Sequence, residues 1–261
     1  MKWIVGSLLI SVLVTSQAQA GFWDWLPGKR RSCHYPESER QSILPREQER
    51  GWANTPQSYP VEKFEIRSAL AERPWLRDFR YIIVVNKSDT GPSAQTVTVF
   101  EDGYQIAQDT VSTGREKLEL KRRSSSCDGP SQSYYSITAT GYYPVQQLVA
   151  DHRSDTFDAA MPYAMFYDRK NGLALHQVTK SGQKNLGKRA SGGCTRIRHE
   201  VIKDLFYKVA RTRGASIPVF SYDGTPVLDE NGKVKTSRTV SLFNRRGPAY
   251  SAIVIIQDIK E

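Results

Sequence analysis

Two apolar stretches near position 90 predict the first strands of the chain. Residues 81–85 read Tyr-Ile-Ile-Val-Val, an uninterrupted run of the kind found in strands that are buried on both faces. Residues 96–100 alternate as Thr-Val-Thr-Val-Phe. The Asp102-Gly103 pair that follows favours the positive φ angles of a tight turn before a partner strand at 104–106. The pattern therefore predicts one buried strand and one β-hairpin.

A second hairpin is predicted around Asn171-Gly172, because this dipeptide is typical of type I′ turns. Apolar segments at 161–167 and 173–176 flank the pair and supply the two strands. Residues 151–160, just before the hairpin, are mostly polar. We expect them to form a mobile flap over the candidate site at the end of the hairpin.

The remaining pattern predicts a mainly β fold with one principal helix. Apolar residues recur at helical spacing over 201–210, and Gly214 is the predicted C-terminal cap. Strands at 217–222 and 252–257 are expected to complete the sheets. The segment 113–133 is charged and then rich in serine, so it is predicted to be a surface loop.

The N-terminal residues are typical of a signal peptide followed by an arm. Lys2 precedes a short apolar run, and Ala18-Gln19-Ala20 is a small-x-small cleavage site, so residues 1–20 are predicted to be removed. A short retained membrane anchor is the alternative. Residues 21–79 are predicted to form an N-terminal arm, irregular over 21–60 because of its repeated prolines and with a short helix over 61–72. We expect a periplasmic or secreted product with no membrane span after signal removal.

The positive net charge of the chain indicates which partners it favours. The full sequence has a formal net charge of +10. Without residues 1–20 it has 36 basic and 27 acidic side chains, a net charge of +9. Such a charge favours polyanionic surroundings, and export makes an acidic cell-wall polymer a better candidate than nucleic acid. A solvated basic surface without a specific partner is the alternative.

The stretch from Leu175 to Arg198 carries the candidate chemistry. His176 ends an apolar run, and Cys194 follows two glycines and precedes Arg196 by two positions. A nucleophilic thiolate requires a nearby base, and His176 is expected to lower the thiol pKa by forming an ion pair with it. Gly192 and Gly193 would let a substrate backbone approach, with loop amides directed at an oxyanion. An inert, buried cysteine is the alternative reading.

The chain contains three cysteines, an odd number for an exported protein. If Cys194 has to remain a thiol, Cys33 and Cys127 are the candidates for a disulfide. Whether they pair is left open by the sequence.

The histidine and cysteine motif resembles that of the L,D-transpeptidase catalytic domain family, also called YkuD. In that family a histidine is followed, after about fourteen to seventeen residues, by Ser/Thr-His-Gly-Cys. Here residues 177–190 separate His176 from Ser191-Gly192-Gly193-Cys194, so Gly192 stands where the family usually has histidine. Thr138-Ala139-Thr140-Gly141 is similar to a further family signature, with alanine in place of proline.

The resemblance extends from Arg80 to Tyr222 and implies a β-sandwich or mixed-sheet catalytic domain over 80–222. Residues 223–261 would be an extension that completes the sheet. The resemblance implies a nucleophilic Cys194, a general base at His176, and an Arg196 that supports the site through hydrogen bonds or binds a substrate carboxylate. The further implied site residues are Gln177, whose carbonyl would orient the His176 ring, Ser191, which would brace the loop, and Met161, Tyr163 and Gly141, which would contact substrate.

The activity implied by the resemblance is acyl transfer on peptidoglycan stem peptides through a cysteine thioester. The acceptor would decide whether the product is a 3-3 crosslink, an exchanged D-amino acid, an anchored protein or a hydrolysed peptide. A hydrolase on the same fold and a non-catalytic wall-binding module are the alternatives. No cofactor, metal or nucleic acid is implied, and the oligomeric state is left open.

Overall fold

The computed structural model describes residues 55–122, 131–154, 157, 159–242 and 244–260. All of them belong to the larger of the two compact units of the chain, Arg31–Glu261. The strands, in chain order, are β1 (Tyr81–Asn86), β2 (Thr96–Glu101), β3 (Tyr104–Thr110), β4 (Leu118–Arg122), β5 (Ser131–Tyr135), β6 (Gly141–Pro144), β7 (Gln147–Ser154), β8 (Ala159–Asp168), β9 (Leu173–Gln177), β10 (Thr195–Ile197), β11 (Ile217–Pro218), β12 (Thr236–Ser237), β13 (Thr239–Leu242), β14 (Arg245–Pro248) and β15 (Ala252–Gln257).

Two α-helices and two 3-10 helices accompany these strands in the described residues. The α-helices are α1 (Ile66–Glu72) and α2 (His199–Ala210), and the 3-10 helices span Pro74–Asp78 and Lys180–Asn185. The longer helix, α2, buries its apolar face. None of the helices in the described ranges is long and apolar enough to cross a membrane.

A five-stranded sheet in the order β3-β2-β1-β15-β6 forms the centre of the fold. The two middle strands, β1 and β15, run parallel, and every residue of both is buried. Their continuous apolar runs follow from this position, because both faces of the sheet are covered. The hairpin of β2 and β3 turns at Asp102 and Gly103, which have φ angles of 50° and 84°, as the sequence predicted.

A four-stranded sheet in the order β10-β9-β8-β7 packs against one face of the first sheet. The core between the two sheets contains Val85 from β1, Val254 from β15, Met165 from β8 and Leu175 from β9, together with the buried face of α2. Trp75, Leu76 and Phe79 cover the opposite face of the five-stranded sheet. The arrangement is mainly β with one principal helix, as predicted.

Several local predictions are wrong, each for a reason visible in the structure. The segment predicted as a loop over 113–133 contains the paired strands β4 and β5. At the second hairpin only Gly172 has a positive φ, of 73°, so the turn is not type I′. Hydrogen bonds from Asn171 to the Asp168 carboxylate hold this turn in its different conformation. Gly214 lies beyond the end of α2, where its amide donates to Ala249 rather than capping the helix.

The C-terminal part of the chain also differs from its prediction. The strand expected over 217–222 is limited to Ile217–Pro218, which pairs with β12. The later segment adds the pair β13 and β14 before β15 enters the central sheet. Of these C-terminal segments, β15 matches its predicted bounds, because residues 252–256 form an uninterrupted apolar run.

Candidate active site

Two neighbouring strands place the candidate residues on one face of the four-stranded sheet. In the parallel register of β9 and β10, His176 lies beside Arg196, while Leu175 and Ile197 point into the core between the sheets. Because side chains alternate along a strand, His176 and Arg196 share the outer face. Cys194, one residue before β10, packs on the small apolar cluster of that same face.

These side chains line a common cavity of about 320 Å³. The lining residues described by the structure are Arg115, Ser154, Phe157, Ala159, Ala160, Met161, His176, Thr179, Ser181, Gly182, Asn185, Ser191, Gly192, Cys194 and Arg196. Strands β9 and β10 and the motif loop, residues 191–194, form the floor. The 3-10 helix Lys180–Asn185 forms one wall, and the β7–β8 hairpin forms another. The size is in the range of pockets that hold small molecules and peptides.

The hydrogen bond of His176 determines which of its nitrogens can act as a base. The Nδ1 atom lies 2.8 Å from the carbonyl oxygen of Gln177. A carbonyl oxygen can only accept, so Nδ1 carries the hydrogen and the lone pair is on Nε2. Burial lowers the pKa of His176 to about 4, even though the Gln177 carbonyl opposes the shift. The ring is therefore neutral near pH 7, with Nε2 as its acceptor.

The Cys194 thiol is also neutral at rest. Its Sγ atom donates to the carbonyl of Gly172, 3.3 Å away in the turn before β9. Burial raises the thiol pKa to about 11, against opposing effects from the Ala174 amide and the Arg196 charge. The predicted ion pair with His176 is therefore not favoured in this structure, because burial shifts both groups toward their uncharged forms.

A set of hydrogen bonds holds the motif loop beneath Cys194. The hydroxyl of Ser191 donates to the Cys194 carbonyl and accepts from the Gly193 amide at 3.1 Å. The hydroxyl of Thr138 donates to the Gly193 carbonyl at 2.6 Å and accepts from the Gly114 amide at 2.8 Å. The loop conformation is thus fixed from both sides, and Thr138 is a positioning residue that the sequence analysis did not identify.

Gly193 has no room or conformational freedom for a side chain. Its φ is +129°, and a Cβ atom there would lie 2.9 Å from the Ile137 carbonyl oxygen. Since its amide already donates to Ser191, the Gly192 and Cys194 amides are the better candidates to face an oxyanion.

The position of the missing motif histidine is covered by an aromatic ring. Phe157, between β7 and β8, lies so close to Gly192 that any Cβ atom at 192 would overlap its ring. Phe157 also makes an edge contact with Tyr134 at a centroid distance of 5.5 Å. The predicted flap is therefore a β-hairpin whose Phe157 occupies the space next to Gly192.

Arg115 and Arg196 both contact the backbone just before the motif loop. The Nη1 atom of Arg196 donates to the Ala190 carbonyl at 3.2 Å, and the Nη1 atom of Arg115 donates to the same oxygen at 2.8 Å. Arg115 also forms a two-point ion pair with Glu119. Arg115 was missed by the sequence analysis because it lies in the segment predicted to be a surface loop.

Of the residues predicted to bind substrate, only one lies at the cavity. Met161 lines the cavity, whereas the predicted substrate-binding residues Tyr163 and Gly141 do not. Tyr163 packs against α2, with its ring centroid 5.7 Å from that of Phe206. Gly141 is buried at the start of β6, where a side chain would meet the Tyr222 carbonyl oxygen at 2.8 Å.

His199 reaches the site region from the start of α2. Its Nδ1 atom lies 2.9 Å from the Gln177 side-chain oxygen, so Gln177 is held by two histidines. The predicted pair Cys33 and Cys127 lies outside the described residues. Among the residues with described positions, no group of three or more His, Cys, Asp or Glu side chains is arranged to hold a metal ion.

One family model matches more than half of the chain. The family model of the L,D-transpeptidase catalytic domain, YkuD, matches residues 80–228. A search of curated proteins found no significant match. Among solved structures, an L,D-transpeptidase from Stackebrandtia nassauensis is 22% identical with a TM-score of 0.34, and the alignment covers 49% of each chain.

Two further structures extend the comparison. An L,D-transpeptidase from Mycobacterium smegmatis is 11% identical with a TM-score of 0.41, covering 69% of this chain and 59% of that one. Residues 123–326 of an L,D-transpeptidase from Xylanimonas cellulosilytica are 13% identical with a TM-score of 0.41, covering 79% and 98%. This chain thus spans about half to three fifths of the length of the first two structures.

Proposed function

Because the chain belongs to the L,D-transpeptidase catalytic domain family, YkuD, we propose that it is an exported acyltransferase acting on peptidoglycan stem peptides. The observation that carries the proposal is the shared cavity of Cys194 and His176, with the His176 ring held so that Nε2 can accept a proton. The basic chain suits an acidic wall, in the periplasm or outside the cell.

The first half of the reaction forms a thioester. The Cys194 Sγ atom attacks the carbonyl carbon of the third stem residue, and the thiol proton moves to His176 Nε2. Because both groups are neutral at rest, proton transfer accompanies carbon–sulfur bond formation rather than preceding it. The oxyanion is stabilised by amides of the motif loop. When the carbon–nitrogen bond breaks, His176 returns the proton to the leaving amine of the terminal D-alanine.

The second half of the reaction releases the acyl group. An acceptor amine attacks the thioester carbonyl, His176 takes the excess proton from the amine, and Sγ leaves and recovers its proton. A side-chain amine of another stem gives a 3-3 crosslink, a free D-amino acid gives exchange, and a protein lysine gives anchoring. Water as the acceptor makes the same site an L,D-carboxypeptidase or endopeptidase.

Covalent labelling tests the thioester. After incubation with a carbapenem, intact-mass analysis is expected to show one adduct on the wild type and none on Cys194→Ala. A variant in which both Cys33 and Cys127 are replaced by alanine is the matched control, and it should keep the adduct. His176→Ala is expected to slow labelling by about 10²- to 10⁴-fold, the usual size of a general-base contribution. A wild-type protein that stays unlabelled would favour the non-catalytic, wall-binding alternative.

Muropeptide digests then separate transfer from hydrolysis. Purified tetrapeptide donors with added D-methionine should yield a tetrapeptide ending in D-methionine if the enzyme transfers, and a tripeptide if it hydrolyses. Identical product profiles with wild type and Cys194→Ala would exclude both activities.

A further inference from the structure

Gln177 and His199 form a side-chain contact on the face of the four-stranded sheet that is turned away from the cavity. Gln177 pairs with Ile197 across β9 and β10, and Ile197 points into the core between the sheets. The Gln177 side chain points the same way, because residues opposite each other in a ladder share a face. There its Oε1 atom lies 2.9 Å from Nδ1 of His199, the first residue of α2. The contact therefore joins the end of β9 to the start of the helix.

The main-chain carbonyl of the same residue, Gln177, contacts the other histidine, His176, at 2.8 Å from its Nδ1 atom. Gln177 is the last residue of β9, where the sheet supports the backbone from one side. In the described ladders β8 pairs with β9 only as far as Leu175, whereas β10 reaches Gln177. The direction of the Gln177 carbonyl therefore depends on how the side chain of Gln177 is held as well as on the sheet.

The ring of His199 is itself held in place by an aromatic cluster. It makes an edge contact with Tyr163 on β8, at a centroid distance of 5.7 Å. Tyr163 has a φ of 55°, a left-handed conformation that a bulky residue keeps only where its surroundings hold it. Its ring packs on Phe206 and Tyr207 of α2, at 5.7 and 6.0 Å. His199 is thus a fixed point from which the Gln177 side chain can be held.

We propose that His199 is a positioning residue that acts on His176 through Gln177. Its hydrogen bond to the Gln177 side chain keeps the Gln177 carbonyl directed at His176 Nδ1. A neutral imidazole carries one ring proton, which stays on the nitrogen that has an acceptor. His199 thereby keeps His176 Nε2 free to accept the thiol proton, although His199 itself is not among the described residues that line the cavity. This role rests on the proposed function and adds a residue to it.

The position of the His176 ring proton tests this role without any turnover. The full chain is prepared with isotope-labelled histidine, and NMR near neutral pH distinguishes protonated from unprotonated ring nitrogens. The His176 signals are assigned by their loss in His176→Gln. We expect the wild-type ring to carry its proton on Nδ1. In His199→Ala and in Gln177→Met, the fraction with the proton on Nε2 should rise about 3-fold or more, the value of one net hydrogen bond.

The carbapenem labelling rate of the same variants measures the effect on chemistry. His199→Ala and Gln177→Met should each slow labelling about 3- to 10-fold. The double variant should be no slower than the slower single variant, because both changes remove one shared contact. His199→Asn should recover most of the rate, since its side-chain amide can donate in place of Nδ1. Lys203→Ala, at an exposed position of α2, is the matched control and should label at the wild-type rate.

The two measurements separate the positioning role from the proposed activity. A His176 proton that stays on Nδ1 in both single variants would overturn the role of His199, even if labelling slows. Additive losses of rate in the double variant would also overturn it, because they would show two independent structural effects. A proton that moves to Nε2 in the variants of a protein whose wild type is not labelled would support the positioning role and refute the proposed activity.

Discussion

Replacing Thr138 by valine should destabilise the protein and slow acylation of Cys194. The Thr138 side chain is fully buried, and its single hydroxyl serves two backbone groups on different segments, the Gly193 carbonyl and the Gly114 amide. Valine has nearly the same shape, so little packing is lost. The two polar groups, however, lose their partner in a site that excludes water.

The expected size of the effect follows from these two bonds. A buried polar group left without a partner costs about 1–3 kcal/mol. For two groups, with some relaxation of the loop, we expect the free energy of unfolding to fall by about 2–4 kcal/mol. In a domain of this size that corresponds to a decrease in Tm of about 5–15 °C. Because Gly193 precedes Cys194, the carbapenem labelling rate should fall about 10-fold or more.

Urea denaturation followed by tryptophan fluorescence measures the change in stability. Thr138→Ser keeps the hydroxyl and should recover most of the labelling rate. Thr140→Val is the matched control from the same Thr-x-Thr-Gly segment, since the Thr140 hydroxyl donates to the Tyr59 carbonyl at a part-buried position. It should cost about 1 kcal/mol or less and leave labelling unchanged. A Thr138→Val protein within about 0.5 kcal/mol of wild type, the usual range of a harmless surface change, would refute the reasoning.

Three further predictions concern Gly192, His176 and Cys194. Gly192→Ala should displace the Phe157 ring and alter the labelling rate of Cys194. It should lower the free energy of unfolding by only about 1 kcal/mol, because an aromatic ring near the end of a hairpin can move. Gly192→Ala combined with Phe157→Ala should show no loss of stability beyond that of Phe157→Ala. The rate of Cys194 acylation should fall on the acid side with a midpoint near pH 4 rather than 6.5. His176 stops acting as a base only when the pH falls to its pKa, which burial lowers to about 4. A midpoint at pH 6 or higher would contradict the burial argument. Iodoacetamide alkylation of Cys194 should be slow at pH 8 and rise steeply above pH 9, following a thiol pKa of about 11, and full reactivity at pH 7 would indicate a thiolate ion pair instead.

Short-range patterns were sufficient for the regular parts of the fold. The apolar runs at 81–85 and 252–257, the Asp102-Gly103 turn and the periodicity over 201–210 each follow from residues close together in sequence. Their structures are determined by the periodicity of apolar side chains and by the φ preferences of residues such as glycine. Both can be read directly from a sequence. The failures lie where local patterns conflict with tertiary pairing, as in the hairpin of β4 and β5, whose charged and serine-rich sequence is typical of a loop.

The sequence by itself determined which residue types were available for chemistry, with His176 at a strand end and Cys194 after two glycines. Only the tertiary structure decided their state and their companions. Burial makes both groups neutral, Thr138 fixes the loop from 55 positions away in sequence, and Arg115 joins Arg196 at one carbonyl. The physical reason is that pKa values and long-range hydrogen bonds depend on the exclusion of water and on contacts between distant segments, and neither property is encoded in local residue order.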